Sequence, residues 1–272
     1  MWSMIAGCLY LTIIIVAFII ATVFFFIRWP DSKKAFKTIL IVTIPLIIFL
    51  FVSIGGYALG GDRTTLDEKS LIGLGTMLLM DIFFLITAIP FIALGRRLCE
   101  QQNLPHFPVL DSFTFNFTGI KKSLQAFPWK SVLLATLVIL AINLAMTKII
   151  KPTYSQDYKG MMDFLGSSYV GYIFGLGFFH GIFEEVSMRL FLLTVLGYWF
   201  RKFDSRGFLA IFISSIIWSF GHAGMVNPEW IKFVQVLLLG IIIGWLMRRK
   251  GVEACMLVHV INNITALLPI FN

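Results

Sequence analysis

The chain has 272 residues, of which 58% are hydrophobic and only 13% are Asp, Glu, Lys or Arg. Soluble domains carry roughly 25% charged residues, so an ordinary soluble domain is excluded. The formal net charge is +8, but the basic residues fall in loops between apolar runs, as membrane topology requires. That pattern argues for a lipid bilayer, and against nucleic acid, as the partner of those charges.

The apolar runs predict eight membrane-spanning helices, at about 2–27, 38–59, 70–95, 131–150, 166–200, 207–223, 231–247 and 251–270. A hydrocarbon core about 30 Å thick needs roughly 20 helical residues. Met1 to Ile27 carries no charge. It also lacks a basic leading region and a small-residue cleavage site, so it reads as a retained helix rather than a signal peptide. The fifth run is too long for one simple crossing. Gly175, Gly177 and Gly181 lie within it and predict a break, with a lead-in segment before a helix starting near Gly181 or Ile182. The fold class is therefore all-α: a polytopic membrane protein with about eight transmembrane helices. Residues 1–150 form an N-terminal region of four helices, and 151–272 a C-terminal unit.

Alternate loops differ in charge. Arg28, Lys33, Lys34 and Lys37 follow the first span, and Arg96, Arg97, Lys121, Lys122 and Lys130 lie after the third. Arg201, Lys202 and Arg206 follow the fifth, and Arg248, Arg249 and Lys250 the seventh. The intervening loops carry acids such as Asp62, Asp67, Glu68 and Asp157. The positive-inside rule then puts the basic loops in the cytoplasm and both termini outside. A bacterial plasma membrane is the expected location. The longest loop, 96–130, holds "SFTFNFTGI", whose alternation reads as a short surface strand or an interfacial segment. Trp129 beside Lys130 reads as an interfacial anchor. Cys8, Cys99 and Cys255 form no CxxC pair, so neither a thiolate metal site nor a disulfide framework is inferred.

The stretch "FFHGIFEEVSMRLFLL" places Glu184, Glu185 and Arg189 in an otherwise apolar run. Each charge at mid-bilayer costs roughly 2.5–3.5 kcal/mol on insertion scales. Glu185 and Arg189 are four apart and pair on one helical face. Glu184 then needs another partner, and His180, one turn earlier, is a candidate. His180, His222 and His259 all lie in or beside apolar runs, whereas His106 sits in a Pro-flanked loop. Glu184 is 17 residues before Arg201, and His222 is 16 after Arg206. In an antiparallel hairpin both groups lie about 24 Å from the turn, at 1.5 Å per residue, so carboxylate and imidazole can meet. His259 and Asn263 share a face of the last helix, while Asn262 points elsewhere.

A carboxylate beside an imidazole polarises a water, and a His N–H with an Asn amide can donate to a developing oxyanion. This is the equipment for water attack on a peptide carbonyl. No HExxH is present, so a standard zincin is excluded.

"EEVSMR", "WSFGH" and "HVINN" resemble, in order, the EExxxR, FxxxH and HxxxN motifs of the CPBP family. That family comprises intramembrane proteases related to the type II CAAX prenyl endopeptidase and to bacteriocin-processing and self-immunity (Abi) proteins. The resemblance covers roughly 165–270 and makes 151–272 the catalytic membrane core. Two positions depart from the pattern: Trp218 stands where Phe is usual, and Leu190 where a small residue is common. By position, the resemblance implies that Glu184 activates water with His222. His259 and Asn263 would then stabilise the oxyanion, with Glu185 and Arg189 as supporting partners. Glu184, His222 and His259 also make three ligands for a divalent metal such as zinc, but metal-free glutamate chemistry explains the same residues and is preferred. The substrate implied is a membrane-embedded or lipid-anchored peptide. Two alternatives remain: a proton- or ion-coupled transporter using Asp81, the Glu pair and the histidines, and a non-catalytic bacteriocin self-immunity protein. Asp81 itself reads first as a buried hydrogen-bonding residue.

Overall fold

In lipid, a spanning segment must satisfy its backbone groups internally, and uncharged runs of this length do so as helices. The computed structural model describes residues 2–27, 35–60, 68–112, 117–155, 159, 163–165 and 167–265. Its helices are α1 (Trp2–Ile27), α2 (Phe36–Gly60), α3 (Glu68–Gln101), α4 (Pro108–Ser112), α5 (Phe117–Ala126) and α6 (Trp129–Ile150). A long helical stretch follows, α7 (169–200), and then α8 (Phe208–Phe220), α9 (Glu229–Lys250) and α10 (Val252–Thr265). Two-residue strands β1 (Thr153–Tyr154) and β2 (Val226–Asn227) pair antiparallel between two connections.

Helices lie where the eight runs were expected, but eight complete crossings do not follow from their lengths. Phe36–Gly60, Leu78–Gln101, Trp129–Ile150 and Glu229–Lys250 are long and apolar enough to cross a membrane. α8 and α10 are apolar but shorter. The 13 residues of α8 span about 20 Å, less than a hydrocarbon core of about 30 Å. Their outward faces are apolar, with Phe51, Leu134, Ile149 and Phe212 exposed, as a lipid-facing surface requires. The acids Asp62, Asp67 and Asp157 and the bases Arg28, Lys33 and Lys34 lie outside the described residues.

The expected break in α7 is absent. The stretch runs on through two π-helical segments, Ile173–His180 and Val186–Leu193, on either side of the α-helical Gly181–Glu185. Such widened turns are frequent at functional sites. The glycines read as breakers are packing positions instead. A Cβ at Gly175 would meet Ser53 Oγ, and one at Gly181 would meet Val260. From Glu185 to Thr194 every residue is buried, and a helix buried all round sits at the centre of its bundle. Around α7 pack α2, α3, α8, α9 and α10, and one core draws on residues from both halves of the chain.

Apolar side chains gain little from leaving lipid, so close backbone approach carries much of the packing. Ser53 Oγ donates to Gly171 O at 2.9 Å, and Ser168 Oγ to Gly56 O at 2.8 Å. A Cβ at Gly171 would lie 2.5 Å from the Tyr57 ring. Gly171→Val is therefore expected to lower folded yield in detergent. Wild-type yield and Tm for that variant would remove the α2–α7 contact from the account.

The 102–128 connection holds the stretch expected as a short surface strand or an interfacial segment. Its residues 113–116 lie outside the described ones, and Phe117–Ala126 is helix. The Glu253 carboxylate accepts from the N–H groups of Val109 (2.8 Å) and Leu110 (2.6 Å), capping α4 from α10. Arg96 reaches Asp111 at 2.9 Å and also donates to Thr38. His106, in the Pro-flanked loop, faces Asp111 at 2.9 Å. Burial opposes the charge on Asp111, but His106 and Arg96 outweigh it and hold the carboxyl below its usual range.

Candidate active site

The turn between α7 and α8 sets the site. Gly207 has φ +73°, a conformation that glycine adopts without strain. The Asp204 carboxylate accepts from Phe208 N (2.9 Å) and Leu209 N (2.8 Å), satisfying donors that the start of a helix leaves open. The two helices return side by side, and the equal-depth expectation is met. Glu184 Oε2 lies 3.8 Å from His222 Nε2. That is long for a direct hydrogen bond and suited to one bridged by water.

Trp218 contributes more than its place in the motif suggested. Its Nε1–H donates to Glu184 Oε2 at 2.5 Å, a bond that phenylalanine cannot make. Its carbonyl lies 3.2 Å from His222 Nδ1. His222 and His259 both meet the Trp218 ring edge-on, with centroids 5.4 and 5.2 Å away.

The two adjacent glutamates serve different neighbours. The Glu184 side chain is 14% exposed and that of His222 19%, whereas Glu185 and Arg189 are at 0%. Of these two pairs the first is the more open. Glu185 Oε1 lies 2.8 Å from His259 Nδ1, and Glu185 Oε2 lies 3.5 Å from Arg189 Nε. The expected Glu185–Arg189 pair is present, but the shorter contact is to His259. The Arg189 guanidinium stacks over Trp218, 4.2 Å from the ring centroid, and cation–π attraction is stronger when desolvated. Arg189→Ala would leave Glu185 buried without its cation, and losing one partner of a buried pair costs roughly 3–5 kcal/mol. Reduced folded yield and reduced Tm are expected. An unchanged melt would show that His259 alone suffices for Glu185.

His259 and Asn263 lie one turn apart on α10, but Asn263 is not idle in the resting site. Its Nδ2 donates to Leu176 O at 2.9 Å, in the first π segment. An amide nitrogen carries two N–H groups, so one remains to point elsewhere. Asn262, expected to point away, is joined to a chain of amides. Lys232 Nζ donates to Gln235 (3.1 Å), Gln235 to Asn143 (2.8 Å), and Asn143 to Asn262 (2.6 Å). Asn262 Nδ2 reaches Asn263 Oδ1 at 3.5 Å. Each link donates in one direction, which is the arrangement that polarises successive bonds.

The sequence reading missed Trp218 as a donor, and missed Asn143, Gln235 and Lys232 altogether. The Trp218 departure from the motif was a visible signal. The amide chain had none, because its members lie on three helices without common spacing. His180 faces Glu184 Oε1 at 4.0 Å, as the one-turn spacing suggested.

Glu184, His222 and His259 do not converge as metal ligands. Among the described residues no three His, Cys, Asp or Glu side chains are grouped to hold a metal ion. Glu184 Oε2 is engaged by Trp218, while Glu185 on His259 Nδ1 leaves Nε2 open.

No curated protein and no solved structure matches the chain. Its motifs EEVSMR, WSFGH and HVINN all fall in one segment, and that segment, residues 165–265, matches the family model described as type II CAAX prenyl endopeptidase Rce1-like, within the CPBP family that the motifs resemble.

Proposed function

We propose that this protein is an intramembrane endopeptidase that hydrolyses a peptide bond in a membrane-embedded or lipid-anchored peptide, a prenylated CAAX tail being the class that the family match favours. The observation that carries the reading is the Glu184 carboxylate facing His222 across 3.8 Å, partly open inside an apolar bundle.

In this reading a water between Glu184 and His222 is the nucleophile. Its oxygen bonds to the carbonyl carbon of the substrate as Glu184 takes its proton. The carbonyl oxygen gathers negative charge and receives hydrogen bonds from His259 Nε2–H and the second N–H of Asn263. His259 fills that role when protonated on both nitrogens, with Nδ1–H donating to Glu185 at 2.8 Å. Collapse of the intermediate breaks the C–N bond, and the proton held by Glu184 goes to the leaving amine. Arg189 and Glu185 act through His259 and Trp218, holding both rings in place.

The test compares the peptides in membranes containing wild-type protein with those in membranes containing Glu184→Gln. A peptide shortened only in the wild-type sample, and cleaved again by purified protein in nanodiscs, supports the reading. Identical peptide profiles, with no cleavage of a quenched prenylated CAAX peptide, would overturn it.

A further inference from the structure

Two ionisable side chains near Glu184, Asp81 buried and His180 as open as Glu184 itself, have no part in that mechanism. Asp81, on α3, is 4% exposed. Its Oδ1 lies 3.0 Å from His180 Nε2. The other ring nitrogen, Nδ1, faces Glu184 Oε1 at 4.0 Å. The two oxygens of Glu184 thus look in opposite directions, Oε2 to Trp218 and His222, Oε1 to His180. Neither Asp81 Oδ1 nor His180 Nε2 makes a well-angled hydrogen bond to a described group, the other included, so their 3.0 Å approach is a charge contact between two otherwise unpartnered atoms.

The ring of His180 is held in place. Phe84 meets it edge-on at 6.3 Å and Phe179 at 5.6 Å, while Phe84 stacks on Phe183 at 4.3 Å. Asp81 and Phe84 lie one turn apart on α3, and so they grip His180 from one face. Asp81 falls outside the segment 165–265 that matches the family model. Ionisable groups inside a membrane bundle are costly, and they mark proton paths or binding sites more often than they serve packing.

We infer that Asp81 and His180 form a positioning dyad that manages the proton of Glu184. The inference rests on the endopeptidase reading of Glu184. A small turn of the ring brings Nε2–H of His180 into line with Asp81, which then fixes the tautomer, as a carboxylate does for a histidine whose other nitrogen must act. The lone pair on Nδ1 then points at Glu184. When water attacks, its O–H bond breaks and the proton lands on Glu184. Turned to the Oε1 side of the carboxyl, it passes to His180 Nδ1 once the 4.0 Å between them closes to hydrogen-bond distance, giving an imidazolium paired with Asp81. Glu184 is left ionised while the tetrahedral intermediate stands. The proton returns through Glu184 to the leaving amine as the C–N bond breaks, so proton and charge balance over the turnover.

Other titratable groups bear on the pH behaviour. Tyr57 on α2 faces Asp81. Around Glu184 stand His222 on α8, His259 on α10 and Tyr10 on α1, and Lys232 on α9 interacts with it as well. A pH profile must therefore be read against variants of the dyad itself.

The experiment uses full-length protein in nanodiscs, with 15N-histidine labelling and cleavage of a quenched prenylated CAAX peptide. The His180 signal is assigned by its loss in His180→Gln. The wild-type signal is expected to show the proton on Nε2, and Asp81→Asn to redistribute it between the nitrogens. In both Asp81→Asn and His180→Gln, kcat should fall by about 10- to 100-fold, less than for losing the base itself, with KM unchanged and one limb of the pH–rate profile lost. Asp81→Glu should recover part of the rate. An unchanged tautomer and pH profile in Asp81→Asn, with kcat also unchanged in His180→Gln, would overturn the dyad. Wild-type cleavage by Glu184→Gln would instead overturn the endopeptidase reading, and the tautomer measurement would still decide whether Asp81 fixes His180.

Discussion

Glu184→Gln is expected to lose about 100- to 10,000-fold in turnover, the range for removing a general base, while the protein inserts and folds normally. The amide keeps the shape of the carboxylate. Its oxygen can still accept the Trp218 N–H that reaches Glu184 Oε2 at 2.5 Å, and its nitrogen can face His180 or His222. What it cannot do is take a proton from water. Glu185→Gln makes the contrast. Glu185 is sealed at 0% exposure between His259 and Arg189, so its loss of charge should appear first in folded yield and then in His259. Single-turnover cleavage measured beside folded fraction separates the two. Wild-type turnover by purified Glu184→Gln would sink the mechanism. A stability loss in Glu184→Gln that accounts for all lost activity would make Glu184 a packing group.

The depth of Glu184 and His222 was legible before any coordinates, because a hairpin fixes depth by residue count and the turn residues Asp204 and Gly207 keep the hairpin tight. The course of α7 was not. Gly175, Gly177 and Gly181 carry the same letters whether they break a helix or let another helix approach, and only their neighbours Ser53, Ile264 and Val260 decide between the two. The same holds for Glu185. Four-residue spacing named Arg189 as its partner, yet His259 from a helix 74 residues on in sequence comes closer. Local spacing ranks partners within a helix and is blind to those that tertiary packing delivers. The alternating aromatics in the 96–130 loop left a surface strand and an interfacial segment both open for a related reason. Glu253 on α10 caps α4, and α5 follows as helix. Asp81 was visible as an oddity, a lone acid in "MLLMDIFF", but nothing in the sequence joined it to His180.

Asn263→Ala is expected to lower turnover by roughly 100- to 1000-fold, the range for one oxyanion donor, with little change in KM. Helical phase puts Asn263 one turn beyond His259 and rotates Asn262 by about 100°, which by itself predicts a negligible effect for Asn262→Ala. The amide chain changes that expectation. Asn262 accepts from Asn143 at 2.6 Å and touches Asn263 at 3.5 Å. Its removal frees one N–H of Asn143 and loosens Asn263, so a loss of about tenfold is expected, well below that of Asn263→Ala. Lys232→Met tests the far end. It removes the cation that heads the chain, and if the chain polarises the last amide, turnover falls while binding holds. A purely structural chain would lose folded protein in all three variants in proportion to activity. Single-turnover cleavage in nanodiscs, corrected for folded fraction, separates these outcomes. A full rate for Asn263→Ala, or a larger defect in Asn262→Ala, would remove Asn263 from the oxyanion site. It would leave His259 Nε2 as the donor from α10, because the Leu176 carbonyl would then account for the whole role of Asn263.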